Sequence, residues 1–129
     1  MKLFDSCVWV EILADTETGR SYRQQLPAAK ELLVSTLVLY EVSRWVFRTM
    51  SSQTADEVLV ILLTGQVVEP TTAVALHAAE LAAEHKLHAL DALIYATALE
   101  HGAQLVTVDA HFKDLPQVDY KAKVTETTK

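Results

Sequence analysis

The sequence predicts an α/β domain in which helices cover both faces of a parallel sheet. Short apolar runs alternate along the chain with longer segments whose apolar residues recur at helical spacing. Half of the 129 residues are hydrophobic, and only three glycines and three prolines interrupt them, so the chain can bury a core of its own. Strands separated by helices pair in parallel, and such sheets bind ligands at the carboxyl ends of their strands.

The first elements are a strand and two helices. Lys2–Phe4 is a short strand that ends at an aspartate. Ser6 stands at the N-cap position of a helix over residues 7–13, because a serine there can accept a hydrogen bond from the first turn. A second helix over residues 19–26 is closed by the proline that follows it.

A second strand at residues 32–34 leads into a long helix. Ser35 or Thr36 can cap this helix, which runs to Met50 with apolar residues along most of its length. A fourth helix over residues 52–63 begins after a serine and stops at a glycine.

The second half of the chain supplies three strands and two helices. The strands are short and rich in β-branched residues, and we place them at residues 67–68, residues 105–108 and Val118–Tyr120. An alanine-rich helix is predicted at Thr72–His85. A nearly all-apolar helix follows at residues 89–101, with the next glycine as its C-cap.

The composition indicates in which compartment the protein works and which kinds of partner it can bind. Its single cysteine cannot form an internal disulfide, no signal peptide is visible, and the longest apolar run is too short to span a membrane. We therefore expect a cytoplasmic protein without a membrane partner, with one domain over residues 1–120 and a charged, flexible tail over residues 121–129. A net charge of −6 disfavours a broad nucleic-acid surface, unless some acids serve another purpose.

Four acidic residues stand where a carboxylate is costly to bury. They are Asp5 and Asp109, each at the end of a strand, Glu41 within an apolar helical stretch, and Asp91 near the start of the nearly all-apolar helix. Each has a structural alternative: a helix cap for Asp5, an intrahelical pair with Arg44 for Glu41, the helix dipole for Asp91 and a turn for Asp109.

Taken together, the four positions lie at one edge of a parallel sheet. Four carboxylates that converge there would raise one another's pKa unless a cation lay among them. Oxygen ligands without histidine or cysteine select a hard ion, Mg²⁺ or Mn²⁺. Such an ion can activate a water and bind the oxygens of a phosphodiester, so the acids indicate a metal-dependent phosphodiesterase.

The segments around these acids resemble the four motifs of PIN domains, particularly those of VapC toxins from type II toxin–antitoxin systems. The motifs are DSCVWVE at residues 5–11, STLVLYEV at 35–42, LDALIYATA at 90–98 and TVDAHF at 107–112. Their acids are separated by 36 (41 − 5), 50 (91 − 41) and 18 (109 − 91) residues, which fits the family. The resemblance extends from residue 1 to about residue 118.

The resemblance implies a PIN-like three-layer α/β/α sandwich with a central four- to five-stranded parallel sheet. It also implies an Mg²⁺- or Mn²⁺-dependent endoribonuclease acting as the toxin of a VapBC-type pair. Asp5, Asp91 and Asp109 would hold the metal. Glu41 would help to bind it or position water, with Thr107 and Ser6 supporting the site.

The same resemblance implies partners. Proteins similar to this one form homodimers, cleave tRNA, rRNA or mRNA, and are silenced by a VapB antitoxin whose C-terminal segment wraps the toxin. Two other functions stay open at this point: a PIN nuclease that processes RNA outside toxin–antitoxin systems, and a PIN-like module that only binds a partner.

Several residues near the motifs have weaker assignments. Val108 stands where the family often has a polar residue, and His88 stands where a serine often caps the helix. Cys7 is expected to be a small apolar helix residue, and His111 a solvated loop residue. Four arginines are candidates for binding an RNA backbone: Arg20, Arg23, Arg44 and Arg48.

Overall fold

The computed structural model describes residues 1–125, and within them the chain forms one wholly parallel five-stranded sheet with strand order β3-β2-β1-β4-β5. The strands are β1 Lys2–Phe4, β2 Leu32–Ser35, β3 Gln66–Val68, β4 Gln104–Thr107 and β5 Val118–Tyr120. Strand β1 lies in the centre, where Lys2 pairs with Leu32 on one side and with Gln104 on the other.

Six α-helices in the described part of the chain accompany the sheet, and the architecture is the expected α/β/α sandwich. They are α1 Ser6–Leu13, α2 Glu17–Gln24, α3 Thr36–Thr49, α4 Ser52–Leu63, α5 Thr72–His85 and α6 Ala89–Glu100. Helix α5 packs against α6, and α1 packs against both α2 and α3. The core is formed by aliphatic and aromatic side chains of the strands and of the helix faces that cover them.

Side-chain caps begin most of these helices. Thr16, Ser35, Ser51 and Thr71 each accept a hydrogen bond from a backbone N–H in the first turn of the helix that follows. The prediction that Ser6 caps α1 is wrong, because the side chain of the preceding aspartate accepts that bond and Ser6 is the first residue of the helix. The hydroxyl of Ser6 can therefore bond to another element.

Helices α1 and α2 approach each other at Gly19. A Cβ at this position would overlap the backbone carbonyl of Glu11, so only glycine allows α2 to lie so close to α1. The close approach fixes the position of Glu11, which is the last residue of the first motif.

The other differences from the predicted elements are small. Strand β4 ends at Thr107, so Val108 lies beyond it. Helix α6 ends at Glu100 with His101 as its C-cap, and Gly102 follows in the left-handed conformation at φ 62°. Two short 3₁₀ helices, Ala29–Glu31 and Ala110–Phe112, were not expected.

The beginning of the C-terminal tail lies against the domain. The backbone N–H of Lys121 donates to the carbonyl of Thr107, and that of Val124 donates to the hydroxyl of Thr18. The flexibility of the tail and the boundary at residue 120 stay predictions, and residues 126–129 lie outside the described residues. Among residues 1–125, no helix combines the length and the apolar character that crossing a membrane requires.

Candidate active site

Asp5 is the most deeply buried of the four acids. It follows β1 directly and is 3% exposed. Its Oδ1 accepts the backbone N–H of Ser6 at 2.8 Å, and its Oδ2 accepts the hydroxyl of Thr107 at 2.8 Å. Burial raises the pKa of Asp5 to about 6, even though these hydrogen bonds oppose the rise. Within residues 1–125 no cationic side chain pairs with this carboxylate.

Thr107 joins the two acids that end neighbouring strands. Its fully buried hydroxyl donates to Asp5 and accepts the backbone N–H of Asp109 at 3.0 Å. Strands β1 and β4 are hydrogen-bonded neighbours, so their carboxyl ends lie side by side. The structure thus places the Thr107 hydroxyl between Asp5 and the backbone of Asp109, and its supporting role in the site stays a prediction.

Glu41 reaches the same edge from helix α3. The hydroxyl of Ser6 donates to its Oε1 at 2.9 Å, which links α1 to α3. Burial raises the pKa of Glu41, the bond from Ser6 lowers it, and the charge of Asp91 raises it further. The alternative pair with Arg44 is wrong, because no ion pair joins the two side chains within the described residues.

Asp91 interacts by charge with each of the other three acids. It lies in the first turn of α6, where burial raises its pKa and the charge of Asp109 adds to that rise. The charge of Asp91 in turn raises the pKa of Asp5 and Glu41. The four sequence-predicted acids therefore interact by charge through Asp91. Among the described residues, however, the cluster of ligand atoms that lie within 4.8 Å of one another does not include any from Asp5 or Glu41.

His111 belongs to this cluster, although the sequence suggested only a solvated loop residue. One potential ligand atom each from Asp91, Asp109 and His111 lie within 4.8 Å of one another. Oδ1 of Asp109 lies 2.7 Å from Nδ1 of His111 and accepts its backbone N–H at 2.9 Å. The 3₁₀ turn Ala110–Phe112, which Asp109 caps, folds the imidazole back toward the acid.

A model of the PIN domain family matches residues 2–118. The chain belongs to the PIN domain family. The resemblance that the four motifs indicated is therefore confirmed for the PIN domain family, and the acids lie on a PIN fold.

Solved structures share the fold of this PIN domain. A toxin–antitoxin complex from Klebsiella pneumoniae is 22% identical, with 92% of this chain and 96% of that chain covered and a TM-score of 0.82. VapBC2 from Rickettsia felis, bound to a promoter DNA fragment, is 20% identical over 94% and 97%, with a TM-score of 0.72. VapC20 from Mycobacterium tuberculosis, described as a sarcin–ricin loop cleaving toxin, is 19% identical over 90% and 95%, with a TM-score of 0.72. A search of the curated proteins gave no match.

The two departures from the family pattern have different surroundings in this PIN domain. Val108 is buried and contributes to the core. His88 stands at the N-cap of α6 without making a side-chain cap, and its ring centroid lies 6.3 Å from that of His111. The positive charge that either ring carries when it is protonated lowers the pKa of Asp91.

Cys7 lies beside the acids but is not suited to nucleophilic attack. Its Sγ is 3.5 Å from Oδ2 of Asp5 and 3.5 Å from the hydroxyl of Thr107. Burial, followed by the charge of Asp5, raises the pKa of the thiol to about 12. The thiol therefore stays protonated at neutral pH, in agreement with its expected structural role.

The donor atoms of the cluster fit a hard divalent cation. The charge of Asp91 raises the pKa of Asp5 and Glu41, and the charge of Asp109 raises the pKa of Asp91. Since Asp5 also has no cationic partner among residues 1–125, a cation lying among these carboxylates would stabilise them. Carboxylate oxygens are the ligands that Mg²⁺ and Mn²⁺ prefer. A cavity of about 330 Å³, lined by Ser6 and Glu41, opens beside the acids and leaves room for a ligand.

Proposed function

We propose that this PIN domain is an Mg²⁺- or Mn²⁺-dependent endoribonuclease that acts as the toxin of a VapBC-type toxin–antitoxin pair. The observation that carries the proposal is the group of ligand atoms from Asp91, Asp109 and His111 that lie within 4.8 Å of one another in a PIN fold. Asp5 and Glu41 interact with Asp91 by charge. Such a cluster is unfavourable without a cation, and a phosphodiester is a substrate that a bound divalent cation can hold and polarise.

Each acid has a proposed role. Asp5, Asp91 and Asp109 hold the metal, with His111 as a further donor. A bound divalent ion supplies an activated water and stabilises the charge that develops on the phosphodiester. Glu41, oriented by Ser6, positions the attacking water, and Thr107 keeps Asp5 and Asp109 in place through its two hydrogen bonds.

The toxin assignment is supported by the structural relatives. The similar proteins from Klebsiella, Rickettsia and Mycobacterium are toxins or toxin–antitoxin complexes, and one of them cleaves the sarcin–ricin loop. We accordingly propose an RNA substrate, whether tRNA, rRNA or mRNA, a VapB-type antitoxin and a homodimer. An apolar groove of about 250 Å³ between α1, α2 and α4 offers the antitoxin segment a binding surface.

The test uses purified, antitoxin-free protein and a panel of tRNA and rRNA, with Mg²⁺, with Mn²⁺ or with EDTA. We expect discrete cuts that require metal and that Asp5→Asn and Asp91→Asn abolish, while circular dichroism shows both variants folded. Cleavage by either variant at the wild-type rate would contradict the site assignment. Intact RNA after incubation with folded wild-type protein and metal would contradict the nuclease activity.

A further inference from the structure

One exposed stripe of helix α3 combines aromatic and cationic side chains. Tyr40, Arg44, Phe47 and Arg48 follow one another at helical spacing, so they lie on a common face. All four are exposed, and the exposed fractions of Tyr40 and Phe47 are 61% and 62%. We call this face the α3 stripe. The same helix carries Glu41.

The α3 stripe adjoins the acids. Tyr40, Arg44 and Arg48 line the cavity of about 330 Å³ to which Ser6 and Glu41 also contribute. The same three residues line a neighbouring cavity of about 360 Å³ together with Phe47. The two arginines therefore border both the cavity that Glu41 lines and the exposed aromatic surface of Tyr40 and Phe47.

The arginines of the α3 stripe differ from the other two candidate arginines in their surroundings. No carboxylate among residues 1–125 lies within ion-pairing distance of Arg44 or Arg48. Arg20 and Arg23, in contrast, lie 3.9 Å and 3.6 Å from the carboxylate oxygens of Asp15, and each also donates to a backbone carbonyl. The structure thus separates the four arginines into two that are paired with Asp15 and two that have no ion-pair partner among residues 1–125 and line the cavity of about 330 Å³.

A third cation borders the same cavity. Lys123, from the beginning of the tail, lines the cavity and lies with its Nζ 3.8 Å from a carboxylate oxygen of Glu11. Glu11 holds the ammonium group at the cavity without burying it, since the Lys123 side chain is 58% exposed. Three cationic side chains therefore line a cavity to which Glu11 and Glu41 also contribute, although the whole chain carries a net charge of −6. Because Lys123 is paired with Glu11, Arg44 and Arg48 are the two cations of this lining without an ion-pair partner among residues 1–125.

We propose that the α3 stripe binds a single RNA strand next to the acids, with Arg44 and Arg48 on its phosphates and Tyr40 stacked on a base. The inference rests on the proposed function, which supplies the identity of the nucleic acid. Guanidinium groups bind phosphate oxygens in a bidentate manner, and exposed aromatic side chains stack on unpaired bases. Stacking of this kind needs bases released from a duplex, so the stripe favours a loop or an unpaired segment.

The first test measures the binding of a fluorescein-labelled, mixed-sequence, single-stranded oligoribonucleotide by fluorescence anisotropy, with EDTA present to prevent cleavage. Arg44→Ala and Arg48→Ala should each weaken binding about tenfold, which is the size of a charge-assisted hydrogen bond. Each should also lower the slope of log K against log salt by about 0.7 for every phosphate that the variant no longer neutralises. Arg20→Ala is the matched control and should leave both quantities unchanged, because Asp15 already holds that side chain.

The second test separates stacking from charge. Tyr40→Ala should weaken binding about tenfold without changing the salt slope, whereas Tyr40→Phe should bind as the wild type does. Equal losses in the two variants would overturn the stacking. Wild-type affinity and salt slope in the Arg44/Arg48 double alanine variant would overturn the phosphate site. An RNA affinity that stays unchanged while sedimentation shows a dissociated dimer would assign the α3 stripe to a second copy instead.

The outcome is distinguishable from failure of the proposed function. If the wild-type chain cuts RNA with metal while the arginine variants bind RNA as the wild type does, the nuclease activity is supported and the RNA-binding role of the α3 stripe is contradicted. A wild-type chain that binds the oligonucleotide through Arg44 and Arg48 but never cuts RNA would support the RNA-binding role of the α3 stripe and contradict the nuclease activity.

Discussion

Replacement of Asp5 by asparagine should stabilise the metal-free protein at neutral pH while it removes cleavage. The carboxyl is buried and its pKa rises from 3.8 to about 6 on folding. Each pKa unit corresponds to about 1.36 kcal/mol, so ionisation of Asp5 in the folded chain costs about 3 kcal/mol. Asparagine fills the same space, keeps an oxygen for the N–H of Ser6, and carries no charge. Its NH₂ group replaces the oxygen that accepts the Thr107 hydroxyl, so the net gain should be about 1–2 kcal/mol rather than the full value of about 3 kcal/mol.

The sign of the pH dependence follows from the direction of the shift. Below about pH 4 the group is protonated in both states and costs nothing. Between about pH 4 and pH 6 the unfolded chain ionises first, so this group lowers the free energy of unfolding as pH rises. Urea unfolding in EDTA across this range should show the decline in the wild type and a smaller decline in Asp5→Asn.

Two comparisons make the experiment decisive. Asp56→Asn, at an exposed position on α4, should follow the wild-type curve within about 0.5 kcal/mol. Addition of Mg²⁺ should stabilise the wild type and not Asp5→Asn. Parallel curves for the wild type and Asp5→Asn, or a less stable Asp5→Asn at neutral pH, would refute the account of Asp5 as a buried carboxylate that needs a cation.

Three further predictions concern individual contacts. Gly19→Ala should destabilise the protein by about 2 kcal/mol in urea unfolding, because the added methyl group displaces α2 from the carbonyl of Glu11; an unchanged midpoint would contradict this. His111→Ala should lower the affinity for Mn²⁺, measured by electron paramagnetic resonance, more than that for Mg²⁺, measured by competition with Mn²⁺, since Mg²⁺ prefers oxygen ligands; unchanged affinity for both ions would remove His111 from the ligand set. Ser6→Ala should slow cleavage about tenfold without loss of metal binding, because Glu41 loses the donor that orients it; a wild-type rate would show that Glu41 needs no such support.

The acids could be predicted from the sequence because topology alone decides where they go. Asp5 and Asp109 follow strands that are hydrogen-bonded neighbours, and a parallel sheet leaves no other place for their side chains than its carboxyl edge. The five strands were found for a similar reason, because short apolar runs between helices have few alternative structures.

The contacts that refine the site depend on geometry that the sequence does not display. The hydroxyl of Ser6 bonds to a residue 35 positions away, which requires the relative position of α1 and α3. His111 approaches Asp109 because a short 3₁₀ turn follows the strand, and no residue pattern in that segment signals such a turn. Arg44 and Arg48 differ from Arg20 and Arg23 only through what lies opposite them in space.

The hydrogen bond between Thr107 and Asp5 has a consequence for how the chain folds during its synthesis on the ribosome. It joins residues 102 positions apart, and β1 remains without one of its two neighbours until β4 has been synthesised. A ribosome adds about 5–20 residues each second, so the first acid waits several seconds for its partners to leave the exit tunnel. Before β4 has left the exit tunnel, the nascent chain therefore has no assembled acidic centre close to the ribosomal RNA. The central place of the first strand thus delays assembly of the proposed toxin's acidic centre until β4 has left the ribosome.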